Sequence, residues 1–472
     1  MPSNSDPSRN QPPPFSDPIP PTNVPGDCGL SQPAFCETFD AHHPGGRGGH
    51  IDETRWSFAR WTHTFEKFWH RAPASTYPNS LFPATFCGQP FSGLLPPDDV
   101  RVCPGVGVDG VLSNQLNEVF DDQEDFGFIS MRVRQPFDFT DGGTVVWDVD
   151  AKVNPYHLGH GWFMEMWITE DPAPMPYHEA PTVASIPRKG LGLAFRFGGG
   201  CPQSPEDWRS ALETVHVMDD YRIIHSYEGP GALDHTSDNC IRVADTKLNH
   251  FELRLAKDRL ELWASDYDDP QNTKLRTVVN DLDLTFTRGY VHFQHAAYNA
   301  AKDCNCSGCD ECGDPPRVQP LAYPSRSQTY RWDNLGFDGP TYPTPRAYDV
   351  PDNDLVESGG LRLGWLLGAS DEKSFTIPGV NLSNALAASL NLTAMIAAGN
   401  RIEHRWNGGT WQSFVVPRRA GLIQDERIRS FSLPVPLSDL VAGSNKVDIR
   451  LPDGEGVLPG IGNLDLTFEV SQ

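Results

Sequence analysis

The strongest constraint on the fold of this chain is a two-residue alternation of side chains at residues 159–171. One set of alternating positions holds Trp162, Met164, Met166 and Ile168, and the other holds Phe163, Glu165 and Trp167. Because successive side chains of a strand point to opposite faces, the first set predicts a core-facing stripe and the second an outer sheet face. A carboxylate between two aromatic rings is typical of a sugar-binding cleft. The alternative, a half-exposed Glu165 beside rings that cover a second layer, stays open because the alternation cannot show what lies over the outer face.

The same alternation recurs in short segments that are separated by long loops rich in Pro and Gly. The segments predicted as strands are 128–137, 144–151, 190–198, 249–266 (a hairpin turning at Lys257-Asp258), 290–295 and 329–337. Helical periodicity is almost absent from this part of the chain. The pattern therefore predicts an all-β fold, an antiparallel two-sheet sandwich or jelly roll.

A boundary is predicted at residues 339–345, where three prolines and a glycine interrupt the pattern. Beyond it, strands are predicted at 361–367, 402–406, 411–416, 428–433 and 446–451, with one helix at 382–398. We therefore expect a disordered Pro-rich lead-in at 1–27, a sandwich at 28–340, a linker at 341–345 and a smaller, β-sandwich-like domain at 346–472.

Charge and length restrict the possible partners. The 472 residues suffice for two domains that each have a core. Lys and Arg total 38 against 62 Asp and Glu, a net charge of −24. This balance argues against a nucleic-acid backbone or an anionic membrane as partner. It is compatible with a neutral polysaccharide or glycoconjugate, with bound calcium, or with simple solubility. No apolar run approaches the ~20 residues of a membrane span.

The cysteines indicate an oxidising compartment. Ten are present, and the predicted pairs are Cys28 with Cys36, Cys87 with Cys103 and Cys201 with Cys240. The first 25 residues are polar and Pro-rich, without a hydrophobic signal region. We therefore expect a secreted or cell-surface protein whose export signal was removed.

Four further cysteines are clustered at positions 304, 306, 309 and 312. Four thiolates can hold zinc, but the Cys-x-Cys-x₂-Cys-x₂-Cys spacing is more compact than the usual two-knuckle arrangement. Since an oxidising compartment favours disulfides, we expect two local disulfides rather than zinc here.

The order of the sequence motifs resembles the concanavalin-A-like sandwich of the family 16 glycoside hydrolases, the laminarinase and β-glucanase group. The similar motifs are ETFD at 37–40, DETRW at 52–56, FMEMW at 163–167, HFELRL at 250–255 and WDN at 332–334. The resemblance covers roughly residues 35–340. It implies a structural calcium near the meeting point of the first and last strands, with Asp333 and Glu37 as ligands.

The chain departs from that family at the catalytic strand, which in the family carries Glu-x-Asp-x-(x)-Glu. The corresponding segment, 190–198, has Gly192, Ala194 and Arg196 on its predicted outer face and no carboxylate. Glu165 and Glu170 are the candidate catalytic residues that remain. They lie one strand too early and would share a face only across a β-bulge.

Three hypotheses follow. The first is a secreted protein that binds polysaccharide through the concave face of the sandwich, without standard glucanase catalysis. Its glycan-binding residues would be Phe163, Trp167, Arg132, Arg134 and Arg196, although the arginines could instead pair with Glu165. The second is a polysaccharide hydrolase or lyase that uses Glu165 with an unidentified partner. The third is a structural surface protein.

Two smaller groups of residues leave similar alternatives open. His160 and His178 flank the central strand and could complete a metal or acid/base site with Glu165, although each is more typical of a loop. Trp406 and Trp411 flank Asn407-Gly408-Gly409-Thr410, which predicts a hairpin tip. These tryptophans either form a small glycan platform or pack on the predicted helix.

Overall fold

The computed structural model describes most of the predicted sheet-forming segments of the chain. The described residues are 28–38, 55–64, 85–86, 89–90, 98–104, 110–117, 125–149, 162–172, 187–197, 201, 208–228, 232–233, 239–244, 247–299, 327–350, 365–366, 372–417, 426–453 and 460–471. The predictions for residues 1–27, for Cys87 and for the cysteine cluster at 304–312 lie outside these ranges.

Strands account for nearly all of the regular structure, which confirms the predicted all-β class. Up to residue 338 the strands are β1 (Pro33–Glu37), β2 (Trp56–Thr64), β3 (Thr85–Phe86), β4 (Gln89–Pro90), β5 (Asp98–Pro104), β6 (Gly110–Asn117), β7 (Asp125–Val133), β8 (Phe137–Asp138), β9 (Gly143–Val149), β10 (Trp162–Thr169), β11 (Gly190–Phe197), β12 (Trp208–Asp219), β13 (Arg222–Glu228), β14 (Ile241–Val243), β15 (Asn249–Ala256), β16 (Arg259–Asp266), β17 (Asp269–Asn280), β18 (Arg288–Asn299) and β19 (Ser327–Asp338).

The remaining strands form a second group. They are β20 (Arg346–Asp349), β21 (Trp365–Leu366), β22 (Glu372–Val380), β23 (Ala385–Ala397), β24 (Arg401–Trp406), β25 (Gln412–Val415), β26 (Glu426–Val435), β27 (Gly443–Arg450) and β28 (Gly460–Val470). One 3₁₀ turn, Leu437–Asp439, precedes β27. Within the described residues, no helix is long and apolar enough to cross a bilayer.

Two antiparallel sheets form the first sandwich. The β10 sheet has the order β13-β12-β11-β10-β18-β7-β2, with β14 beside β12 and β8 beside β18. The β9 sheet has the order β17-β16-β15-β9-β19-β6-β5, with β1 beside β19. The hairpin predicted at Lys257-Asp258 is present between β15 and β16. Strand β10 therefore lies in the middle of its sheet, between β11 and β18.

The core lies between these two sheets and is built from alternate side chains of their strands. Met164, Met166 and Ile168 of β10 belong to it, as the alternation predicts. Opposite them, Trp147 of β9 stacks on Phe251 of β15 with ring centroids 5.1 Å apart. Because both inner faces are apolar, the other face of β10 must carry Glu165 and Trp167.

The second sandwich consists of a β23 sheet (order β20-β28-β23-β26, with β21 beside β28) and a β24 sheet (order β22-β27-β24-β25). A separate hydrophobic core, which includes Trp406, Leu390 and Phe468, lies between them. The assignment of 28–340 and 346–472 as independent domains stays a prediction.

The helix predicted at residues 382–398 is wrong, because this segment contains strand β23. Its alanines and leucines have high helix propensity, but tertiary packing overrides that preference. Leu390, Leu392 and Ala394 are buried in the second core at two-residue spacing. Asn391 and Thr393 lie between them and point to the opposite face.

Two of the predicted disulfides are confirmed. Cys28 is bonded to Cys36 beside β1, and Cys201 is bonded to Cys240 beside β14. Each bond ties a segment near a sheet edge to its neighbour. Both are consistent with an oxidising compartment.

The predicted boundary segment, residues 339–345, is fixed to the first sandwich by its backbone. Asp138 N–H donates to the carbonyl of Pro340 (2.7 Å), and Tyr342 N–H donates to that of Pro136 (3.1 Å). Gly339 has φ +110°, a conformation that favours glycine. The connection between the sandwiches is therefore part of the β8 edge and not a free tether.

Candidate functional site

The outer face of the β10 sheet carries a row of buried polar side chains. Glu165, Thr169, Ser130, His292, Gln294, Thr214 and His216 are all at most 3% exposed. The strand register places them together: Glu165 lies opposite Gln294 of β18 and Ala194 of β11, and Gln294 lies opposite Ser130 of β7. We refer to this set as the polar row.

Glu165 lies at the centre of the polar row and is held by two neutral donors. The indole Nε1–H of Trp167 donates to its Oε2 at 2.7 Å, and the amide Nε2 of Gln294 donates to the same oxygen at 3.2 Å. Glu165 is 1% exposed. A carboxylate oriented in this way has a fixed direction in which to accept further hydrogen bonds.

Trp167 does not offer an open ring face. Its ring lies over Gly192, where an added Cβ would come within 2.6 Å of the ring, and it packs with Met218 of β12. Trp167 is 1% exposed. Position 192 must therefore be glycine to leave room for the ring of Trp167. In the structure, Trp167 holds Glu165 in place through its indole N–H. Phe163 of β10 lies opposite Arg196 of β11. The structure describes the backbone pairing of these two residues but not their side chains.

His292 connects the polar row to its neighbours. Its Nε2 lies 2.9 Å from Thr169 Oγ1 and its Nδ1 lies 3.4 Å from Ser130 Oγ. Thr169 donates its hydroxyl proton to the carbonyl of Asp171 (2.7 Å), so His292 donates to Thr169. Burial, together with nearby Arg132, lowers the pKa of His292 well below its ordinary value. His292 is therefore neutral and structural at neutral pH.

The predicted pairing of the arginines with Glu165 is not what the structure shows for Arg132 and Arg134. Strand β18 separates β7, which carries Arg132 and ends just before Arg134, from β10. Arg132 instead donates to the carbonyl of Pro172, and its Nη2 lies 3.7 Å from Asp465 of β28. Arg134 Nη1 lies 3.9 Å from the same Asp465 oxygen, which also accepts a hydrogen bond from Ser57 at 3.1 Å. Burial lowers the pKa of Arg132 to about 10, so the guanidinium stays charged at neutral pH.

Asp465 brings the second sandwich against the part of the β10 sheet that carries Arg132. It shares an outer face of the β23 sheet with Asn391, which lies opposite it in register, and Asn391 donates to Thr467 at 2.8 Å. These polar residues are buried. Further contacts are Arg288 with Glu469 (2.7 Å) and Tyr221 with Phe414 and Phe431. One end of the polar row is therefore closed by the second sandwich.

Glu170, the other candidate catalytic residue, makes different contacts from Glu165. It follows the last residue of β10 and pairs with Arg188 (2.6 Å) and Lys189 (3.7 Å). A hydrogen bond to Asp171 raises the pKa of Arg188 above its ordinary value. The Glu165 and Glu170 side chains are thus engaged with separate partners, one buried and one at the surface. A catalytic role for either stays a prediction.

The predicted calcium ligands are also engaged by protein groups. Glu37 pairs with Arg55, whose other amino group donates to the carbonyl of Cys36. Asp333 accepts a hydrogen bond from the N–H of Asn334 at 2.8 Å. No group of three or more His, Cys, Asp or Glu in the described ranges is arranged to hold a metal ion. The calcium ion at Glu37 and Asp333 stays a prediction.

Sequence reasoning missed Gln294 and Asp465 as parts of this region. Gln294 could have been found, because it alternates with the core residues Val291 and Phe293 on β18. Asp465 gave no local signal. Its contact with Arg132 depends on how two distant parts of the chain pack.

No family model matches this sequence, and no curated protein matches it significantly. Solved structures similar to the chain include several lectins. Lectin II from Ulex europaeus is 11% identical, covers 52% of this chain and 90% of its own, and has a TM-score of 0.29. The Bauhinia forficata lectin in complex with GalNAc is 10% identical, with coverages of 51% and 92% and a TM-score of 0.27.

Peanut lectin with a 9-residue peptide is 10% identical to the chain, with coverages of 59% and 97% and a TM-score of 0.26. These neighbours are legume-type lectins with a concanavalin-A-like sandwich. Because the TM-scores are below 0.5, the likeness carries no conclusion about function. The finer resemblance to family 16 glycoside hydrolases stays a prediction.

Proposed function

We propose that this chain binds a polysaccharide or glycoconjugate at the outer face of the β10 sheet, around Glu165, and does not cleave it at the rate of an ordinary glucanase. The observation that carries the proposal is the fixed Glu165 carboxylate, held by Trp167 and Gln294. Because Glu165 is 1% exposed, a sugar hydroxyl group reaches this carboxylate only when the polar row opens to the ligand. A carboxylate oriented in this way then accepts the hydrogen bond without first losing conformational freedom.

The surroundings of Glu165 support a polar, uncharged ligand. Gln294 and Ser130 supply amide and hydroxyl groups on one side, and Ala194 leaves a small side chain on the other. Arg132 and Arg134 are engaged by Asp465 and by a carbonyl group. This arrangement favours hydroxyl recognition over recognition of an anionic group, as does the net charge of −24.

The role proposed for Trp167 differs from stacking on a sugar. Because its ring is buried over Gly192, it acts as a positioning residue that orients Glu165 through its N–H group. Trp167→Phe keeps a ring in place and removes that donor. We expect it to weaken glycan binding while the chain stays folded.

The absence of glucanase activity is proposed from the sequence of β11. Retaining hydrolysis needs two carboxyl groups about 5–5.5 Å apart. Strand β11 carries no carboxylate. A secreted or surface location is part of the same proposal, and the two disulfides support it.

The test is a screen of the full chain against immobilised β-glucan, laminarin, xylan, mannan and pectin, with release of reducing ends measured in parallel. We expect retention by at least one neutral polysaccharide and no release above background. Retention by none of them would contradict the proposal and favour a structural role. Robust release of reducing ends that Glu165→Gln abolishes would make the chain an enzyme.

A further inference from the structure

The outer face of the β24 sheet is open to solvent, unlike the polar row. We call it the Trp411 face, and it carries Trp411, Arg405, Arg450, Ser413 and Ser374. Trp411 precedes β25, whose Ser413 lies opposite Glu403 of β24 and is exposed. Strands β22 and β27 continue the surface, with Ser374 opposite Asp448. The face thus crosses all four strands of the sheet.

Ion pairs fix the charged side chains of this face. Arg405 donates from Nε to Asp448 (2.9 Å) and from Nη2 to Glu372 (2.8 Å). Arg450 donates from Nε to Glu403 (2.7 Å). Among the described residues, the hydrogen bonds of Arg450 use only Nε, so its terminal amino groups remain donors for a ligand. Because the side chains are already held, a ligand that used them would lose little side-chain entropy on binding.

Trp411 lies among these guanidinium groups. Its ring centroid is 4.5 Å from Cζ of Arg405 and 4.0 Å from Cζ of Arg450, distances typical of cation–π contacts. Trp411 is only partly buried, whereas Trp406, at the other end of the hairpin tip, lies in the core. An aromatic ring that is fixed and still reaches solvent is suited to contact the C–H groups of a sugar.

The charges of this face balance one another. Its cations are Arg401, Arg405, Arg450 and Lys446, and its anions are Glu372, Glu403, Asp448 and Asp453. A polyanion or a polycation would meet as much repulsion as attraction. A neutral chain of hydroxyl groups finds donors and acceptors side by side. The charge pattern therefore favours an uncharged, polyhydroxylated partner.

We propose that the Trp411 face is a second binding surface, which takes a segment of neutral polysaccharide laid across Trp411 and hydrogen-bonded to Arg450 and Arg405. It shares its ligand class with the Glu165 site but does not depend on that site. The face lies on a different sheet of a different sandwich. A chain with two such surfaces would gain avidity on a polymer.

The experiment measures affinity of the full chain for soluble laminarin, xylan and mannan by affinity electrophoresis, with dextran sulfate as the anionic comparison. Trp411→Ala should weaken binding of one neutral polysaccharide by about tenfold or more, a change of ~1.4 kcal/mol. Ser413→Ile, which puts a branched side chain on the exposed strand without opposing its conformation, should weaken it similarly. A melting curve checks that each variant is folded.

The matched control is Trp263→Ala. Trp263 is also partly buried and stacked on an arginine, with Arg254 Cζ 5.1 Å from its ring, but it lies on the first sandwich. We expect it to leave affinity unchanged. Normal affinity in both Trp411→Ala and Ser413→Ile would overturn the proposal, as would tighter binding of dextran sulfate than of every neutral polysaccharide.

The two proposals fail separately. Loss of binding in Glu165→Gln, with normal binding in the Trp411 and Ser413 variants, would overturn the second surface and support the first. Loss in the Trp411 and Ser413 variants alone would support the second surface and leave the Glu165 site contradicted.

Discussion

The outer face of the β10 sheet and the Trp411 face contain similar residues in opposite environments. Each has a tryptophan, arginines and carboxylates on one side of a sheet. On the β10 sheet the tryptophan is buried and the arginines depend on one carboxylate from another sandwich. On the Trp411 face the tryptophan reaches solvent and each arginine has its own partner. Trp167 and the arginines of the first face should therefore contribute mainly to stability, whereas Trp411 and its arginines should contribute mainly to recognition.

The largest expected effect concerns the two tryptophans. Trp167→Ala should lower the free energy of unfolding by roughly 3–5 kcal/mol, because it empties a buried site and removes a donor from Glu165. Trp411→Ala should lower it by about 1 kcal/mol or less, as for a surface substitution. Urea denaturation of both variants checks the difference. Equal losses of unfolding free energy in the two variants would contradict the difference between the two faces.

The contact between the two sandwiches provides the next effect. Asp465→Asn should lower the free energy of unfolding by about 3 kcal/mol, because it leaves Arg132 buried without its counter-ion. The control is Asp453→Asn, which breaks an ion pair with the partly exposed Arg401 and should change stability little. Thermal melting measures both variants. A neutral Asp465→Asn would mean that water reaches Arg132 and that the polar row is open at this end.

Acidification should affect the buried histidines in opposite directions, according to the sign of their pKa shifts. Burial lowers the pKa of His404 to about 4 from an ordinary value near 6.5. The contribution of its neutral form to stability is therefore fully present above pH 6.5. As the pH falls from 6.5 to 4 this contribution is lost, on the order of 3 kcal/mol, because each unit of pKa difference corresponds to ~1.4 kcal/mol. His292 acts in the same direction.

His250 has the opposite sign and serves as an internal control. Burial alone would lower its pKa, but the Asp148 carboxylate at 2.6 Å raises it above the ordinary value. Its contribution is therefore present below pH 6.5 and is lost as the pH rises through the raised pKa. Denaturation of His404→Gln and His250→Gln between pH 4 and 8 should give opposite changes in slope. Identical profiles would contradict this assignment.

Calcium should give the smallest effect, because Glu37 is already paired with Arg55 and Asp333 already accepts a hydrogen bond from the N–H of Asn334. If calcium binds there, EDTA lowers the melting temperature of the parent slightly and calcium restores it. Asp333→Asn should remove that response. If EDTA leaves the melting temperature of the parent unchanged, the calcium prediction is wrong.

The alternation along the chain predicted the fold because a sandwich buries one side of every strand. It placed Met164, Met166 and Ile168 in the core and located the hairpin at Lys257-Asp258. It failed at 385–397, where alanine and leucine have strong helix propensity, and only contacts distant in sequence make the segment a strand.

The site was less predictable for the same reason. The sequence placed Glu165 and Trp167 on the outer face, but it could not show that the ring would be buried over Gly192. Nor could it show that Asp465 would pair with Arg132, because that contact forms between two sandwiches. The residues that cover the outer face of a sheet come from distant parts of the sequence. The local alternation of side chains therefore does not predict them.

The most direct test of the account compares two carboxylates that lie five residues apart. Glu165→Gln keeps the shape of the side chain and removes the charge in the polar row. Glu170→Gln does the same at the surface, where Arg188 and Lys189 are its partners. In affinity electrophoresis on the polysaccharide that retains the parent, we expect Glu165→Gln to weaken binding by about tenfold or more. Glu170→Gln should bind as the parent does, and equal affinity of the two variants would contradict a glycan site at Glu165.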